Sequence, residues 1–340
     1  MSIKKIGLMG CGVVASYGHL PALQQTKCFD VHALYDPNEV NLRRLQAAFN
    51  VPHGFTDLDA FLDSGIEAVT ITSPATCHCQ NVLDAVGRRL PVLVEKPLAM
   101  NEDQAQAMIA GSKKAGVMLF TGLDYRFSPI SQTIRQLVRD GAIGQVRSLR
   151  LIYVWDVHGK YSVSDGQRVM NQRRVGRMLE GGPLVDCGVH QIDLARYWLG
   201  SEVVHMTAAG AWVEDYDAPD HAYIHMDHAG GQHTMVEISY SYGHTIADRI
   251  SSFSYDLIGT DGLIRFDRER KIFEVRTAQG ITPLPFAHEK NFPGMYKAFA
   301  AALETGNAGE LPTGEDGWIA SRLATQATEQ LIAQRAQMRK

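Results

Sequence analysis

The chain has 340 residues, of which 45% are hydrophobic and 21% charged, and its formal net charge is −4. This length exceeds that of one ordinary core and predicts two domains. The interspersed charges argue against a nucleic-acid-binding or polybasic membrane-binding protein. No apolar run has transmembrane length, and the apolar stretch before Cys11 is too short for a secretion signal. Five scattered cysteines form no disulfide framework, so we expect a cytoplasmic protein.

From residue 4 to about residue 123, short apolar runs alternate with amphipathic helical segments. The helical segments include residues 39–49, 79–88 and 102–115. This alternation predicts βαβ units and a parallel sheet covered on both faces. We therefore predict an α/β domain over residues 1–123. Its strand candidates are KKIGLMG, VHALYD, IEAVTITSP, PVLVEKP and VMLFTG.

The pattern changes in residues 124–340, which we predict to be a second, α+β domain. The short returns AGGQ and GTDG indicate that several neighbouring strands pair antiparallel in a large sheet. Helical patterns cover residues 130–140, 183–199, 294–303 and 314–333. Strand patterns cover residues 146–155, 203–213, 221–227, 233–242, 253–259 and 263–266.

The first strand ends in GCGVVA, a G-x-G-x-x-A turn that contains Gly10, Gly12, Val13 and Val14. Such a turn lets a pyrophosphate approach the backbone, where the N–H groups and dipole of the next helix neutralise it. An ordinary glycine-rich βα turn is the alternative. The acid Asp36 at the end of the second strand favours a dinucleotide fold, where a carboxylate binds the adenosine ribose. Because Asp36 would repel a 2′-phosphate, we predict NAD rather than NADP.

Polar residues follow other strands of this domain. Ser73 follows one strand, and Glu95 and Lys96 follow another. Ligands bind at the carboxyl ends of parallel strands, so these residues are predicted to lie at the cofactor site. Cys77-His78-Cys79 resembles half a metal site, but no matching second pair is evident. We therefore predict no metal and expect His78 to line the cofactor cleft.

A candidate catalytic helix lies in EGGPLVDCGVHQIDLARYWLG. Asp186, His190 and Asp193 fall at positions i, i+4 and i+7, on one face of a helix that looks buried nearly all round. A carboxylate one turn from a histidine can orient its ring and stabilise its charged form, as a general acid/base requires. The alternative is a solvent-facing stripe in which Asp193 pairs with Arg196. A solvated face would normally carry Lys or Glu, which this helix lacks.

Two other sets of polar residues each allow two interpretations. One set precedes the candidate helix and consists of Trp155, His158, Arg173 and Arg174. These residues could bind a hydroxylated or acidic substrate, or they could form a solvated loop. Residues 221, 223, 225 and 227 alternate onto one strand face, which indicates a half-polar face or subunit interface more than a metal site. We expect the sheet's other face to be aromatic and apolar and to pack against another subunit, in a homodimer or homotetramer.

Over essentially its whole length the sequence resembles the Gfo/Idh/MocA family of nicotinamide-dependent oxidoreductases. The resemblance rests on GLMGCGVVA…HLPAL, TSPATCH, EKPLA, YRFSP, GAIGQVRS and GGPLVDCGVHQID. It implies that Lys96, Asp186 and His190 form the catalytic set and that Arg126 contacts cofactor or substrate. Two positions depart from the family pattern. Asp124 replaces a frequent asparagine, and Glu180 stands where a third glycine is common.

The resemblance implies an NAD-dependent dehydrogenase acting on a secondary alcohol of a sugar, inositol or sugar acid. Lys96, Arg126, Trp155, Asp186 and His190 are the expected substrate contacts. An NAD-dependent glycosidase that uses transient oxidation is an alternative within the family. A non-catalytic NAD-sensing regulator is an alternative of another class, although the intact catalytic set argues against it.

Overall fold

A computed structural model of the chain describes residues 3–155, 161–164, 167–240 and 251–338. The chain divides into two compact units, Met1–Phe127 with Lys290–Ser321 and Ser128–Glu289 with Arg322–Lys340. The predicted boundary at residue 123 lies close to the first of these divisions. The prediction assigned all later residues to the second domain, whereas residues 290–321 belong to the first unit.

The first unit is a parallel sheet with helices between its strands. Its strands are β1 (Lys4–Met9), β2 (Phe29–Tyr35), β3 (His53–Phe55), β4 (Ala68–Ile71), β5 (Val92–Val94) and β6 (Leu119–Thr121). Its helices are α1 (Leu20–Thr26), α2 (Glu39–Phe49), α3 (Leu58–Leu62), α4 (His78–Gly87), α5 (Glu102–Ala115), α9 (Phe292–Thr305) and the first part of α10 (Gly314–Met338).

The strand order is β3-β2-β1-β4-β5-β6, and all neighbouring pairs are parallel. This is the predicted Rossmann arrangement. The strand order reverses between β1 and β4, and in such sheets the crevice outside the carboxyl ends at that point binds the ligand. Strands β4 and β5 are buried at every position, as expected for a sheet covered on both faces.

Aromatic packing explains why residues 290–321 join the first unit. Phe299 on α9 is fully buried, with its ring centroid 5.4 Å from that of Phe29 and 5.8 Å from that of Phe120. The Thr121 N–H also donates to the Pro312 carbonyl at 2.9 Å. The return segment therefore completes the core beside β2 and β6.

The second unit is built on a large, mostly antiparallel sheet. Its helices are α6 (Pro129–Arg139), α7 (Gln172–Leu179), α8 (Val189–Leu199) and the remainder of α10. Its strands are β7 (Val146–Val154), β8 (Tyr161–Ser164), β9 (Gln167–Met170), β10 (Val203–Ala211), β11 (His221–His228), β12 (His233–Ser239), β13 (Ser252–Gly259), β14 (Gly262–Asp267), β15 (Ile272–Thr277) and β16 (Gly280–Pro283).

The sheet order is β10-β11-β12-β7-β13-β14-β15-β16, and β8 pairs with β9 separately. Neighbours in the large sheet are antiparallel except for the parallel pair β12–β7. The predicted returns AGGQ and GTDG join β11 to β12 and β13 to β14. These observations confirm the predicted α+β unit.

The two faces of this sheet differ sharply. One face is buried; there Tyr255 packs edge-on against Trp198 of α8, with ring centroids 5.1 Å apart. The opposite face carries a ladder of charges, in which Arg265 lies 2.7 Å from Asp256. Because Ile152, Tyr223 and Met235 share this face, it is mixed rather than aromatic and apolar as expected.

The alternating polar residues of β11 lie on this charged face, as predicted. Asp227 accepts from His233 at 2.8 Å and lies 3.3 Å from His205, while His221 lies 3.4 Å from Glu237. In the part of the chain that the structure describes, no group of three or more His, Cys, Asp or Glu side chains could hold a metal ion. Among the same residues, no helix has the length and apolar character needed to cross a membrane.

Replacing Phe299 by Ala should destabilise the first unit by about 3–5 kcal/mol, because the truncation leaves a cavity between Phe29 and Phe120. The urea midpoint and the thermal midpoint should both fall. Lys297→Ala, at an exposed position of the same helix, is the matched control and should change neither. Equal midpoints for the two variants would contradict the placement of α9 in this core.

Candidate functional site

The turn after β1 depends on two glycines with different surroundings. Gly10 has φ +104°, and a Cβ there would lie 2.6 Å from the Ser73 nitrogen. The Thr72 hydroxyl also donates to the Gly10 carbonyl at 2.6 Å. Gly10 is therefore required where the β1 turn meets the end of β4. A Cβ on Gly12 would instead enter open space, which is where a bound pyrophosphate could approach the backbone.

The helix after this turn is not regular. Val13 and Val14 begin it, and residues Ala15–His19 form a π-helical turn that continues into α1. The first-turn N–H groups lie directly after Gly12, as the predicted phosphate-binding role of Gly10, Gly12, Val13 and Val14 requires. The residues present thus fit a dinucleotide. The π turn places His19 in the interior, with no exposed surface.

Asp36 follows β2 beside the glycine turn. Its carboxylate accepts hydrogen bonds from the Cys11 N–H at 2.7 Å and the Asn38 N–H at 2.8 Å. Burial and the charge of Asp36 raise the pKa of the Cys11 thiol to about 12, so this cysteine stays protonated. Arg44 reaches back from α2 and donates to the Cys11 carbonyl at 3.3 Å. The two main-chain hydrogen bonds hold the Asp36 carboxylate beside the glycine turn. Its predicted contact with the adenosine ribose stays a prediction.

Ser73 and His78 brace the ends of β4 and β5. The Asn81 amide donates to the Ser73 hydroxyl at 2.7 Å. The His78 ring nitrogens lie 2.8 Å from the Pro97 carbonyl and 3.0 Å from the Ser73 carbonyl. Burial lowers the pKa of His78, and its side chain is only 1% exposed. Its predicted cofactor contact stays a prediction, and its described contacts are with the main chain.

Glu95 and Lys96 follow β5 at the carboxyl edge of this sheet. The Glu95 carboxylate is buried, 2.9 Å from His19 Nε2, and also accepts from the Lys96 N–H at 3.3 Å. Burial raises the pKa of Glu95, but the hydrogen bond with His19 and the charges of His19 and Lys96 outweigh burial and hold the pKa below its ordinary value. Glu95 is therefore ionised at neutral pH, beside the predicted catalytic lysine.

His19 and Tyr296 complete this network, and the sequence analysis assigned neither a role. His19 Nδ1 lies 2.7 Å from the Tyr296 hydroxyl, which donates to the Thr70 hydroxyl at 3.2 Å. Because Glu95 is ionised, His19 must carry a proton on Nε2. The available signal was the histidine in HLPAL, a polar residue directly before a short apolar run. Nothing in the sequence linked it to residue 296.

The YRF segment is a buried 3₁₀ turn, Asp124–Phe127, after β6. Arg126 is 6% exposed, and its guanidinium lies 3.5 Å from Asp316. Its predicted contact with cofactor or substrate stays a prediction. Asp124, at the position where the family often has asparagine, is 3% exposed, and burial raises its pKa to about 7.

Within the second unit, Asp186 lies in a π turn, Leu184–Gly188, which precedes α8. The Tyr240 hydroxyl donates to one Asp186 oxygen, and Arg177 Nε lies 3.6 Å from the other. Arg177 also pairs with Glu180 at 2.6 Å, so the residue that replaces the third glycine joins this cluster. Burial and the charge of Asp186 raise the pKa of Tyr240 well above its ordinary value, so Tyr240 remains a hydrogen-bond donor.

His190 is 6% exposed on α8, a helix buried at every position from Val189 to Trp198. The prediction of burial all round is confirmed, and the alternative of a solvent-facing stripe is wrong. Asp193 lies 4.0 Å from Arg196, the pairing that this alternative expected, but both side chains are buried. Arg196 also makes two 2.8 Å hydrogen bonds to Glu202.

The remaining candidates of the second unit have different surroundings. Trp155 follows β7 and stacks on Tyr153, with ring centroids 5.6 Å apart. Arg174 is buried on α7 and pairs with Glu214 at 2.7 Å. It is therefore neither in a solvated loop nor open to substrate, because the buried guanidinium is already matched by a carboxylate. Arg173 is exposed on the same helix. His158 lies outside the described residues.

Known proteins resemble this chain over both units. Residues 4–123 match an oxidoreductase family with an NAD-binding Rossmann fold, and residues 131–265 match the GFO/IDH/MocA C-terminal domain. The predicted family, fold and cofactor are thereby confirmed.

Two curated relatives and one solved structure illustrate the likeness. Myo-inositol 2-dehydrogenase of Thermotoga maritima is 26% identical over 98% of this chain and 97% of its own. D-apiose dehydrogenase of Paraburkholderia graminis is 27% identical over 81% of this chain and 70% of its own. An oxidoreductase of Agrobacterium radiobacter, solved with NAD⁺, L-tartaric acid and magnesium, superimposes with a TM-score of 0.79 at 22% identity, covering 98% of this chain and 97% of its own. At that identity the structural likeness shows the fold alone.

The two glycines of the β1 turn should respond differently to alanine. Gly10→Ala should destabilise the first unit, because its Cβ meets the backbone at Ser73 and its φ is positive. Gly12→Ala should leave the thermal midpoint nearly unchanged and weaken NAD binding by about tenfold or more, because its methyl occupies the space for the pyrophosphate. Thermal unfolding and titration with NADH measure both effects. Unweakened binding by folded Gly12→Ala would contradict the assignment of this turn.

Proposed function

Because the chain belongs to the Gfo/Idh/MocA family of oxidoreductases, we propose that it transfers a hydride between NAD and a secondary alcohol of a sugar, inositol or sugar acid. Relatives named as inositol and apiose dehydrogenases support this substrate class. The observation that carries the proposal is the buried Glu95 carboxylate, which accepts from the Lys96 N–H at 3.3 Å at the carboxyl edge of the NAD-binding sheet. A buried carboxylate in that position holds a lysine where ligands of parallel sheets bind.

Each proposed catalytic residue has one role. Lys96 places positive charge at the substrate hydroxyl and stabilises the alkoxide that develops as the hydride leaves the carbinol carbon. His190 accepts the hydroxyl proton, since the ordinary pKa of an imidazole lies near neutrality. Asp186 favours the charged form of that imidazole. Bound NAD supplies the hydride acceptor, so the carbinol loses one hydride and one proton and becomes a carbonyl.

The contacts of Asp186 support its role. Its carboxylate accepts from Tyr240 and lies close to Arg177, so it is held in a fixed orientation next to a positive charge. A preorganised anion stabilises a positive charge without reorganising when that charge forms. Tyr240 and Arg177 are therefore positioning residues in this proposal.

The test is a panel of inositols, aldoses and sugar acids incubated with NAD and followed by NADH absorbance. We expect net NADH formation with at least one polyol or sugar. Release of an aglycone from a glycoside without net NADH would identify a glycosidase that uses transient oxidation. Tight NAD binding without turnover on any compound would instead support the NAD-sensing regulator.

Lys96→Ala should reduce turnover by orders of magnitude, because the lost charge acts mainly in the transition state. Affinity for NAD should change little, since the Gly10 turn and Asp36 remain. Lys114→Ala, an exposed substitution on α5, is the control and should keep normal turnover. Steady-state kinetics and NADH titration give the two quantities. Near-normal turnover by Lys96→Ala would show that the lysine is not catalytic.

Cofactor choice should depend on Asp36 and Arg44. The wild-type chain should bind NADH more tightly than NADPH, because the Asp36 carboxylate repels a 2′-phosphate. Asp36→Ser should raise NADPH affinity by about tenfold, because the Arg44 guanidinium near the Cys11 carbonyl is then unopposed. The double variant Asp36→Ser/Arg44→Ala should lose that gain. Fluorescence titration measures both cofactors, and tighter NADPH than NADH binding by the wild type would reverse the assignment of Asp36.

A further inference from the structure

Asp124 is a buried carboxyl group at the same sheet edge as the catalytic lysine. It opens the 3₁₀ turn after β6, while Glu95 and Lys96 follow the neighbouring strand β5. The Asn291 main-chain N–H lowers the pKa of its carboxyl. Among the described residues, its Oδ2 atom has no hydrogen-bond partner and is closed to solvent. Asp124 is thus a buried carboxyl group, and one of its two oxygens lacks a hydrogen-bond partner among the described residues.

The charged groups that face Asp124 come from two other elements. The charges of Glu95 and Lys96, at the end of β5, and of Lys290, before α9, all act on the Asp124 carboxyl. On its own element, Arg126 is matched by Asp316. Burial and the Glu95 charge raise the pKa of Asp124, the two lysines lower it, and the result is a pKa of about 7. Asp124 therefore exchanges a proton at physiological pH.

The two carboxyl groups at this edge behave differently. Glu95 is fixed as an anion by His19 and by the charge of Lys96. Among the described residues the Asp124 Oδ2 atom has no hydrogen-bond partner, and the pKa of about 7 makes its charge vary with pH. An asparagine at this position would have the same shape without an ionisable proton. The aspartate therefore gives this chain an adjustable charge near Lys96.

We propose that Asp124 determines the preference of the site for the oxidised over the reduced dinucleotide: its carboxylate form favours NAD⁺, and its protonated form removes that advantage. The inference rests on the proposed function, which places Lys96 at the substrate hydroxyl, beside the carbinol carbon that exchanges a hydride with the nicotinamide. NAD⁺ differs from NADH by one positive charge on that ring. An ionised Asp124 lowers the free energy of that charge, whereas NADH gains nothing comparable.

Linkage requires the reciprocal effect. NAD⁺ binding favours the ionised carboxyl, so below about pH 7 binding releases a fraction of a proton from Asp124 to the solvent. NAD⁺ affinity should accordingly rise as the pH increases through this range and level off above it. NADH affinity should lack this component. The ratio of NAD⁺ affinity to NADH affinity therefore depends on pH through the protonation of Asp124.

The experiment measures dissociation constants for NAD⁺ and NADH from pH 5.5 to 8.5. In the wild type, NAD⁺ affinity should rise by about tenfold relative to NADH affinity. By linkage, bound NAD⁺ then increases the acid dissociation constant of Asp124 by the same factor. Asp124→Asn should show a flat ratio across the range. Asp30→Asn removes an exposed carboxylate near the amino end of β2 and is the matched control, with a wild-type profile expected.

Calorimetry of the wild type in two buffers of different ionisation enthalpy supplies a test that needs no variant. At pH 6.5, NAD⁺ binding should release a fraction of a proton and NADH binding should release none. Tight NAD⁺ binding without proton release, or the same pH profile in wild type and Asp124→Asn, would overturn this inference and leave the proposed function standing. Failure of the wild type to bind NAD⁺ would overturn both.

Discussion

The contact between His19 and Glu95 is the constraint on which the first unit's site depends. A carboxylate at the dry carboxyl edge of a parallel sheet is costly unless a donor satisfies it. His19 meets that need at 2.9 Å, and Tyr296 fixes the other side of its ring. The π turn after Gly12 supplies His19 and the returning helix α9 supplies Tyr296, so both contribute to the surroundings of Glu95. Three stretches distant in sequence converge on one anion.

In the second unit, Asp186 is also a buried carboxyl group held by a hydrogen-bond donor, but its nearby cation is an arginine rather than a histidine. Asp186 also lies in a π turn, and such turns are frequent at functional sites because they redirect side chains from the regular helical spacing. Tyr240 donates to its carboxylate and Arg177 supplies a nearby positive charge. In each unit a fixed anion is set next to a residue proposed to carry the chemistry. Such preorganisation lets charge develop without rearrangement of the protein.

Much of this arrangement was predictable from local pattern. Alternating strands and helices predicted the parallel sheet, and α2 and α5 were predicted with their observed bounds. The glycine turn, Asp36 and the EKP lysine were placed at the sheet edge, because motif and strand end coincide in sequence. The return of residues 290–321 was not predictable, since it depends on aromatic packing between distant segments. The π turns and the His19–Glu95 contact leave no periodic signal in one sequence, and strands β3 and β15 were too short or too charged to stand out.

In the reaction proposed for this chain, a hydride leaves a carbinol carbon and is delivered to NAD. Deuterium transfer tests this most directly. A substrate deuterated at its carbinol carbons should yield NADH carrying one deuterium atom at the nicotinamide C4 position, detected by NMR and mass spectrometry. The transfer should be abolished in Lys96→Ala. Product formation without any deuterium in the nicotinamide ring would contradict the claim.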